Sequence, residues 1–439
     1  MLKSLKIRNY KSYKDEAVFS FEAQESDALS DNYTDIALNN DSVCRLLHSA
    51  VIFGANASGK TNVLWALAAL RYLIAFSRGF EYSDNNTSQL PYDPFAFDDA
   101  VSQQPTEFTV ELTAADNIYR YFVSFDQRKV LSERLCLLDG EDEIEYYTVK
   151  LTGKDNKVIL PGSVMKEREF DILSVKLLPN HLLLSELGVK PVGDILTIYN
   201  ELANMQIEPS AEAYGLKARN RQAANDILKD EKSVLFRRLR KLVRIADVGI
   251  EDIFMAKEEL EPNDILIGGN ERFQMRHSSV MSMFTIHTGY DEAHNAKVFR
   301  ERLDDFESMG TKQLFNIGAR VLQVLDTGGL LAYDEMNLAL HPSLLALLVK
   351  MFNSPKSNPN HAQLLFTTHD ASVVGDNQMR VDQIWFAEKD SKGESELFSA
   401  QDFDDVSIVA PVEQWYRSGL FGARPSLGSI DYIFEEDGK

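Results

Sequence analysis

Hydrophobic and polar positions along the chain change period several times, and each change marks an element. Residues 1–8 alternate apolar and polar side chains as an amphipathic strand does. A polar turn, Asn9-Tyr10-Lys11-Ser12-Tyr13, separates them from a second strand over 17–21. Residues 23–47 are acidic and polar with little periodicity, which predicts a surface insertion. The continuous apolar run Ser49-Ala50-Val51-Ile52-Phe53 reads as a buried strand, and residues 62–76 as an apolar helix. Pro91, Pro94 and Pro105 mark 77–105 as a long loop.

Alternation resumes in 108–112, 119–125 and 129–131, the pattern of an antiparallel meander. From 171 to 250 the period becomes helical, interrupted by Pro179, Pro191 and Pro209. No apolar heptad persists there for three or four repeats, so a long coiled-coil arm is not expected. A further helix is predicted over 314–325. Two buried-strand patterns, Leu330-Leu331-Ala332-Tyr333 and Leu364-Leu365-Phe366-Thr367, follow it. The whole predicts an α/β chain in three parts: a β-rich N-terminal lobe over 1–160, a mainly helical insertion over 161–295, and a C-terminal lobe with a parallel sheet over 296–439.

Composition narrows the classes. The chain has 439 residues, enough for a large core, and a formal net charge of −21 from 46 Lys+Arg against 67 Asp+Glu. That balance disfavours non-specific coating of nucleic acid or anionic lipid. The longest apolar candidate for a membrane span, 63–76, contains Arg71, and the N-terminus lacks the apolar core of a secretion signal. Cys44 and Cys136 are too few for a disulfide scaffold or a metal cluster, which points to a reduced, cytoplasmic setting. One stretch runs against the charge: residues 214–244 hold ten basic side chains against three acidic, with Leu235, Leu239 and Leu242 at helical spacing. A solvated helix face, a protein-partner surface and a nucleic-acid contact are all open for it. Residues 380–439 hold six basic against thirteen acidic side chains, a poor nucleic-acid surface and a candidate docking face.

The candidate chemistry centres on Gly54-Ala55-Asn56-Ala57-Ser58-Gly59-Lys60-Thr61, set between a predicted strand and a predicted helix. Glycines let backbone N–H groups converge on phosphate oxygens, and the helix N-terminus adds partial positive charge. Lys60 supplies an ammonium for the β- and γ-phosphates, and the Thr61 hydroxyl is placed to ligate Mg²⁺. Lys11, in the turn before this unit, either lies over the nucleotide or belongs to a solvated hairpin.

Asp334-Glu335 ends an apolar strand, which puts two carboxylates at the carboxyl edge of a parallel sheet, where ligands of open α/β sheets bind. Asp334 is the candidate Mg²⁺ ligand and Glu335 the candidate group for polarising water. His369, 34 residues beyond Glu335 at the next strand's tip, is a candidate γ-phosphate sensor. Ser308-Met309-Gly310, just before the 314–325 helix, is a second anion-binding turn or an ordinary helix cap. One triphosphate already has its loop, so a second such turn suggests service to a neighbouring subunit's nucleotide.

In this order, 7–13, 54–61, Ser308-Met309-Gly310, Asp334-Glu335 with Leu340-His341-Pro342, and Thr367-Thr368-His369-Asp370 resemble the ABC-type ATPase heads related to SMC and RecF proteins. More closely, the chain looks like the stand-alone AAA-type ATPases of restriction-linked and abortive-infection loci, the RloA-like proteins; residues 419–425 are similar to a glycine-rich tail segment of that family. The resemblance implies a P-loop NTPase fold, ATP and Mg²⁺ as cofactors, and Asn56 and Ser58 lining the phosphates. It makes Asp334 and Glu335 the Walker B pair, with Glu335 the hydrolytic base, and His369 the switch histidine. Ser308 and Gly310 become the signature that meets the γ-phosphate of a partner subunit in a homodimer or higher homo-oligomer, and 336–342 a dimer-facing loop. Asn337 stands where that family usually has an acid, and Gln103 and Gln104 fall in the region where its glutamine loop is expected.

Two functions follow from the resemblance. One is an oligomeric ATPase sensor in anti-phage, abortive-infection defence that controls a separate effector protein, since Asp402, Asp404 and Asp405 read as a solvated loop rather than a nuclease site. The other is an SMC/RecF-like DNA-repair or DNA-clamp ATPase, which would need the basic island as its groove. A nucleotide-gated scaffold with scarcely any turnover is a third, which Glu335 argues against.

Overall fold

The computed structural model describes residues 1–83, 90–163, 176–190, 193–209, 228, 230–246, 249–259, 279–372, 378–403 and 413–414. The segment 419–425, the basic residues Lys217, Arg219, Arg221 and Lys229, and Asp404 and Asp405 lie outside them.

A six-stranded sheet organises the chain. From edge to edge it runs Gln206–Glu208, Leu330–Tyr333, Gln363–Thr367, Ser49–Phe53, Ile384–Lys389 and Ser395–Ser399. The first five strands pair in parallel, and the last closes an antiparallel hairpin. The four inner strands read as apolar runs because both their faces are covered, while the edge strands Gln206–Glu208 and Ser395–Ser399 carry polar residues. The two-residue side-chain period then sorts them. Ala50, Ile52, Ala332, Leu365, Trp385 and Ala387 face one core, and Val51, Phe53, Leu331, Tyr333, Leu364, Phe366 and Phe386 face the other.

The first core lies between this sheet and a seven-stranded antiparallel sheet. The helix Lys60–Phe76 fills it, burying Val63, Leu64, Ala66, Leu67, Ala69, Leu70, Leu73 and Ile74. Packing against residues of both sheets gives this helix a wide buried face, while Trp65, Tyr72 and Phe76 on its other side stay exposed. Within the antiparallel sheet, Leu2–Arg8 pairs with Ala17–Ser20 and Thr106–Ala114, and the meander continues through Asn117–Phe125, Val130–Asp139, Asp142–Thr152 and Asn156–Pro161. The second core is covered by the helices Met309–Thr327, Pro342–Phe352 and Val234–Ala246.

Two expectations change. Residues 161–295 are not mainly helical where described: beside the helices Leu183–Leu187, Ile195–Ala203 and Val234–Ala246 stand the strands Asp252–Glu259 and Ser279–Tyr290, which join Ala296–Arg302 in a three-stranded antiparallel sheet. Their signal was present in the alternation of buried Ile253 and Met255 with half-buried neighbours, but charged residues surround so short a run.

Residues 23–47 are also more than a surface insertion. They form a hairpin of Tyr33–Ala37 with Val43–Leu47, fastened by polar contacts that no hydrophobic pattern reports. Arg380, fully buried, donates to the carbonyls of Gln24, Ser26 and Ala28 and pairs with buried Asp382 at 2.8 Å. Asn32 donates to Gln378 O and to Gln383 Oε1, and Gln383 in turn donates to the carbonyl and hydroxyl of Ser49, the first residue of the central strand.

Arg380→Leu should therefore leave Asp382 buried without its partner and cost about 3–5 kcal/mol. The expected outcome is a fall in the urea midpoint at unchanged denaturant dependence, with Arg380→Leu/Asp382→Leu recovering much of the loss.

Candidate functional site

The central strand Ser49–Phe53 is wholly buried and delivers the chain to Gly54 at the sheet's carboxyl edge. A Cβ on Gly54 would stand 2.3 Å from the carbonyl oxygen of Ala387 on the adjacent strand, so only glycine lets the loop leave here. Gly59 has φ +109°, and a Cβ on it would meet Ser395 Oγ at 2.5 Å. Gly59 also precedes the helix with no side chain to cap it, so the helix N-terminus faces the loop uncovered by its own cap residue, while the Asn62 N–H donates back to Gly59 O at 2.9 Å. Asn56 and Ala57 form the exposed crest of the loop, while Ser58, Gly59 and Lys60 are buried.

Lys60 Nζ donates to the carbonyls of Gly54 and Ala55 at 2.7 and 2.8 Å, curling back over the loop it follows. Burial pushes its pKa down to about 8, against the opposing pull of Asp334 and Glu335.

The second strand over is Leu330–Tyr333, and it ends on the two carboxylates. Thr61 Oγ1 donates to Asp334 at 3.0 Å, and Thr367 Oγ1 donates to Asp334 Oδ1 at 2.6 Å. Burial raises the Asp334 pKa, outweighing these hydrogen bonds and nearby Lys60. Glu335 adopts a left-handed backbone, φ +45°, a conformation that costs a non-glycine residue and collects at functional sites. Its N–H donates to the Thr367 hydroxyl at 2.8 Å, and its Oε1 lies 3.2 Å from His369 Nε2. Both Glu335 and His369 are partly open to solvent, at 41% and 35% of the side chain.

The residues fit ATP and Mg²⁺. Ser58 Oγ is buried without a hydrogen-bond partner inside the loop. The Thr61 hydroxyl and the Asp334 carboxylate are oxygen donors of the kind a hard cation takes. Among the described residues no set of three His, Cys, Asp or Glu side chains is gathered for a metal, so a divalent ion here would complete its shell with phosphate and water.

Other expected residues fall elsewhere. Lys11, for which the sequence leaves both a place over the loop and a solvated hairpin open, pairs its Nζ with Asp93 at 2.6 Å and lies over the rings of Tyr10 and Trp65, with no hydrogen bond to the loop among the described residues. Its neighbours make the contact instead. Tyr13 Oη donates to Gly59 O at 3.2 Å, Asn62 donates to Ser12 Oγ at 2.6 Å, and Ser395 Oγ bonds both Ser12 Oγ and Ser58 O. Ser308 is the N-cap of Met309–Thr327, its Oγ accepting from Thr311 N at 3.1 Å. A Cβ on Gly310 would come within 2.7 Å of Ala339 O, so this turn packs on the loop that follows Glu335. Asn337 Oδ1 in that loop is buried without a partner. Gln104 is exposed, and its backbone carbonyl accepts from Asn9 in the turn that Asn9 holds.

Sequence reasoning did not single out Thr367, Ser12 or Ser395. Thr367 had a usable signal, a hydroxyl at the last residue of an apolar strand two places before His369. Ser12 and Ser395 are 383 residues apart and become neighbours only in the fold.

Fold and site together define a P-loop ATPase domain, with the lysine loop and the Asp-Glu pair on parallel strands separated by a third. The chain belongs to the family described as "AAA domain, putative AbiEii toxin, Type IV TA system", whose profile matches residues 49–375. Among solved structures it is similar to "Crystal structure of the SmcHead bound to the C-winged helix domain of ScpA", at 15% identity over 91% of this chain and 97% of that one, with a TM-score of 0.41. It is also similar to "SMC head domain from Thermotoga maritima", at 12% identity over 91% and 98%, with a TM-score of 0.37. No curated protein matches the sequence. No described helix is long and apolar enough to cross a membrane.

Thr367→Val keeps the shape of the side chain and removes both the bond to Asp334 and the acceptor for Glu335 N–H. Loss of such an orienting group should raise the Mg²⁺ concentration needed for half-maximal turnover by roughly 10–100-fold, measured by metal titration. Gly59→Ala, which must displace Ser395 and hold a left-handed backbone, should abolish binding of a fluorescent ATP analogue.

Proposed function

We propose that this chain is a Mg²⁺-dependent ATP hydrolase that works as a homodimer or higher homo-oligomer and controls a separate effector protein in anti-phage, abortive-infection defence, as an RloA-like protein of the cytoplasm. The observation that carries the hydrolase reading is the cluster in which Thr367 joins Asp334 to the Glu335 backbone while His369 stands 3.2 Å from the Glu335 carboxylate.

In this reading Lys60, Asn56, Ser58 and the backbone of 54–61 hold the triphosphate, and Thr61 and Asp334 hold Mg²⁺, which would neutralise developing charge on the phosphates. Glu335 orients a water and accepts its proton, and His369 keeps that carboxylate turned toward the nucleotide. Ser308 and Gly310 serve the partner subunit's nucleotide. Supporting that last assignment, Phe306, Met309 and Leu338 around the turn are exposed at 59%, 49% and 41%, an apolar rim suited to a second copy. The family description, which names a type IV toxin–antitoxin system, supports the defence setting.

Single-turnover hydrolysis by wild type and by Glu335→Gln tests the reading. The variant should be slower by about 10²–10⁴-fold and should accumulate an ATP-bound dimer; equal rates would remove Glu335 from the chemistry.

A DNA clamp is the second reading, and one observation favours it. On the helix Val234–Ala246, Arg238 and Arg240 pair with Asp326 and Asp252, whereas Arg237, Lys241 and Arg244 form an exposed stripe at helical spacing. Duplex binding that fell steeply with salt would favour the clamp, since each neutralised phosphate releases counterions.

A further inference from the structure

The inserted sheet Asp252–Glu259, Ser279–Tyr290 and Ala296–Arg302 has no part in the site as described, yet its middle strand reaches the residue immediately before Ser308. Glu307 turns inward, with its side chain only 8% exposed. Its Oε1 accepts from Thr285 Oγ1 at 2.5 Å and lies 2.7 Å from His287 Nε2. The other ring nitrogen, His287 Nδ1, lies 2.8 Å from the carbonyl of Gly249, in the link between the basic helix and the first strand of the sheet. The imidazole thus spans two acceptors, one on each side. Phe306 packs edge-on against the same ring at 5.3 Å.

A second tie flanks the first. Arg302, the last residue of the sheet, pairs with Glu258 on the first strand and with Asp305 at 3.1 Å. Between the two ties lies Leu303, fully buried. The four residues Leu303–Phe306 are a single helical turn, too short to be rigid by themselves. Side chains of the inserted sheet therefore fix where Glu307 sits, and through it the entry of the chain into Ser308-Met309-Gly310.

We propose that His287 is a positioning residue for ATP hydrolysis: by holding Glu307 it sets the Ser308–Gly310 turn at the distance a partner subunit's nucleotide requires, and the inserted sheet is the element through which that turn is adjusted. The proposal rests on the reading in which this turn acts across a dimer. It makes a prediction that a purely structural histidine would not. The chain's own phosphate loop stays intact when His287 changes, so nucleotide binding and turnover should separate.

The full chain is compared with His287→Ala and His287→Gln by steady-state ATP hydrolysis, and with His287→Ala mixed with a Lys60→Ala chain. In His287→Ala, kcat should fall by on the order of tenfold to a hundredfold, as a small misplacement of a reacting group does, while the KM for ATP stays within about twofold. His287→Gln, which keeps one donor to Glu307, should recover turnover to within roughly threefold of wild type. Mixing should raise turnover above that of either variant alone, because the Lys60→Ala chain supplies an intact turn to the intact loop of the His287→Ala chain.

Undiminished turnover in His287→Ala overturns the proposal. So does a loss of turnover that is matched in nucleotide affinity and not relieved by mixing, since that marks a folding defect. A wild-type chain with no turnover would sink the ATPase reading and this proposal with it; active wild type beside active His287→Ala would sink only the coupling.

Discussion

The Asp334 carboxylate, held between two threonine hydroxyls, is the contact on which the site depends. Thr61 comes from the first turn of the helix after the phosphate loop, Thr367 from the end of the neighbouring strand, and both donate to the same side chain. Ser49–Phe53 and Leu330–Tyr333 flank Gln363–Thr367 in parallel register, so the loop and the carboxylates emerge one strand apart with Thr367 between them. Nothing local to either motif sets that spacing. It follows from sheet order, which the two hydrophobic cores hold from both sides.

The polar groups of the site are costly, and the cost is shared. Burial disfavours the charged forms of both Lys60 and Asp334, and each is hydrogen-bonded to what lies nearest: Lys60 to the carbonyls of its own loop, Asp334 to the two threonines. A ligand with negative phosphates and a divalent cation would satisfy both groups more fully than these bonds do. The same economy operates away from the site. Arg380 and Asp382 are buried together to hold residues 24–28, ahead of the 33–47 hairpin, while Asn32 and Gln383 connect the start of that hairpin to Ser49 on the strand that carries the phosphate loop. Glu133, also buried, accepts from Tyr121, Tyr147 and the N–H groups of Leu183 and Leu184 to hold a short helix against the meander.

The inserted three-stranded sheet gives the chain something its motifs alone do not describe. It packs beside the basic helix, and that helix lies along Met309–Thr327 closely enough that a Cβ on Gly318 would come within 2.8 Å of Leu242. The helix that begins at Ser308 is therefore gripped along its length by one neighbour and at its start by another.

By itself the sequence determined the elements whose patterns are local: the apolar strands before Gly54 and Asp334, the helix after Lys60, the antiparallel meander, and the residue types of the phosphate loop and the acidic pair. Those signals survive because a buried parallel strand has to be apolar throughout, and a phosphate loop has to carry glycine where a side chain would strike Ala387 or Ser395. Only the tertiary structure decided that Ser12 and Ser395 close on the loop while Lys11 turns away to Asp93, that Thr367 binds both carboxylate residues, that Arg380 holds residues 24–28 some 350 positions earlier, and that the middle of the chain contributes a sheet as well as helices. These are polar contacts between residues far apart in the chain. Their partners leave no periodic trace, because a hydrogen bond needs only the right two atoms in one place, and folding alone brings them there.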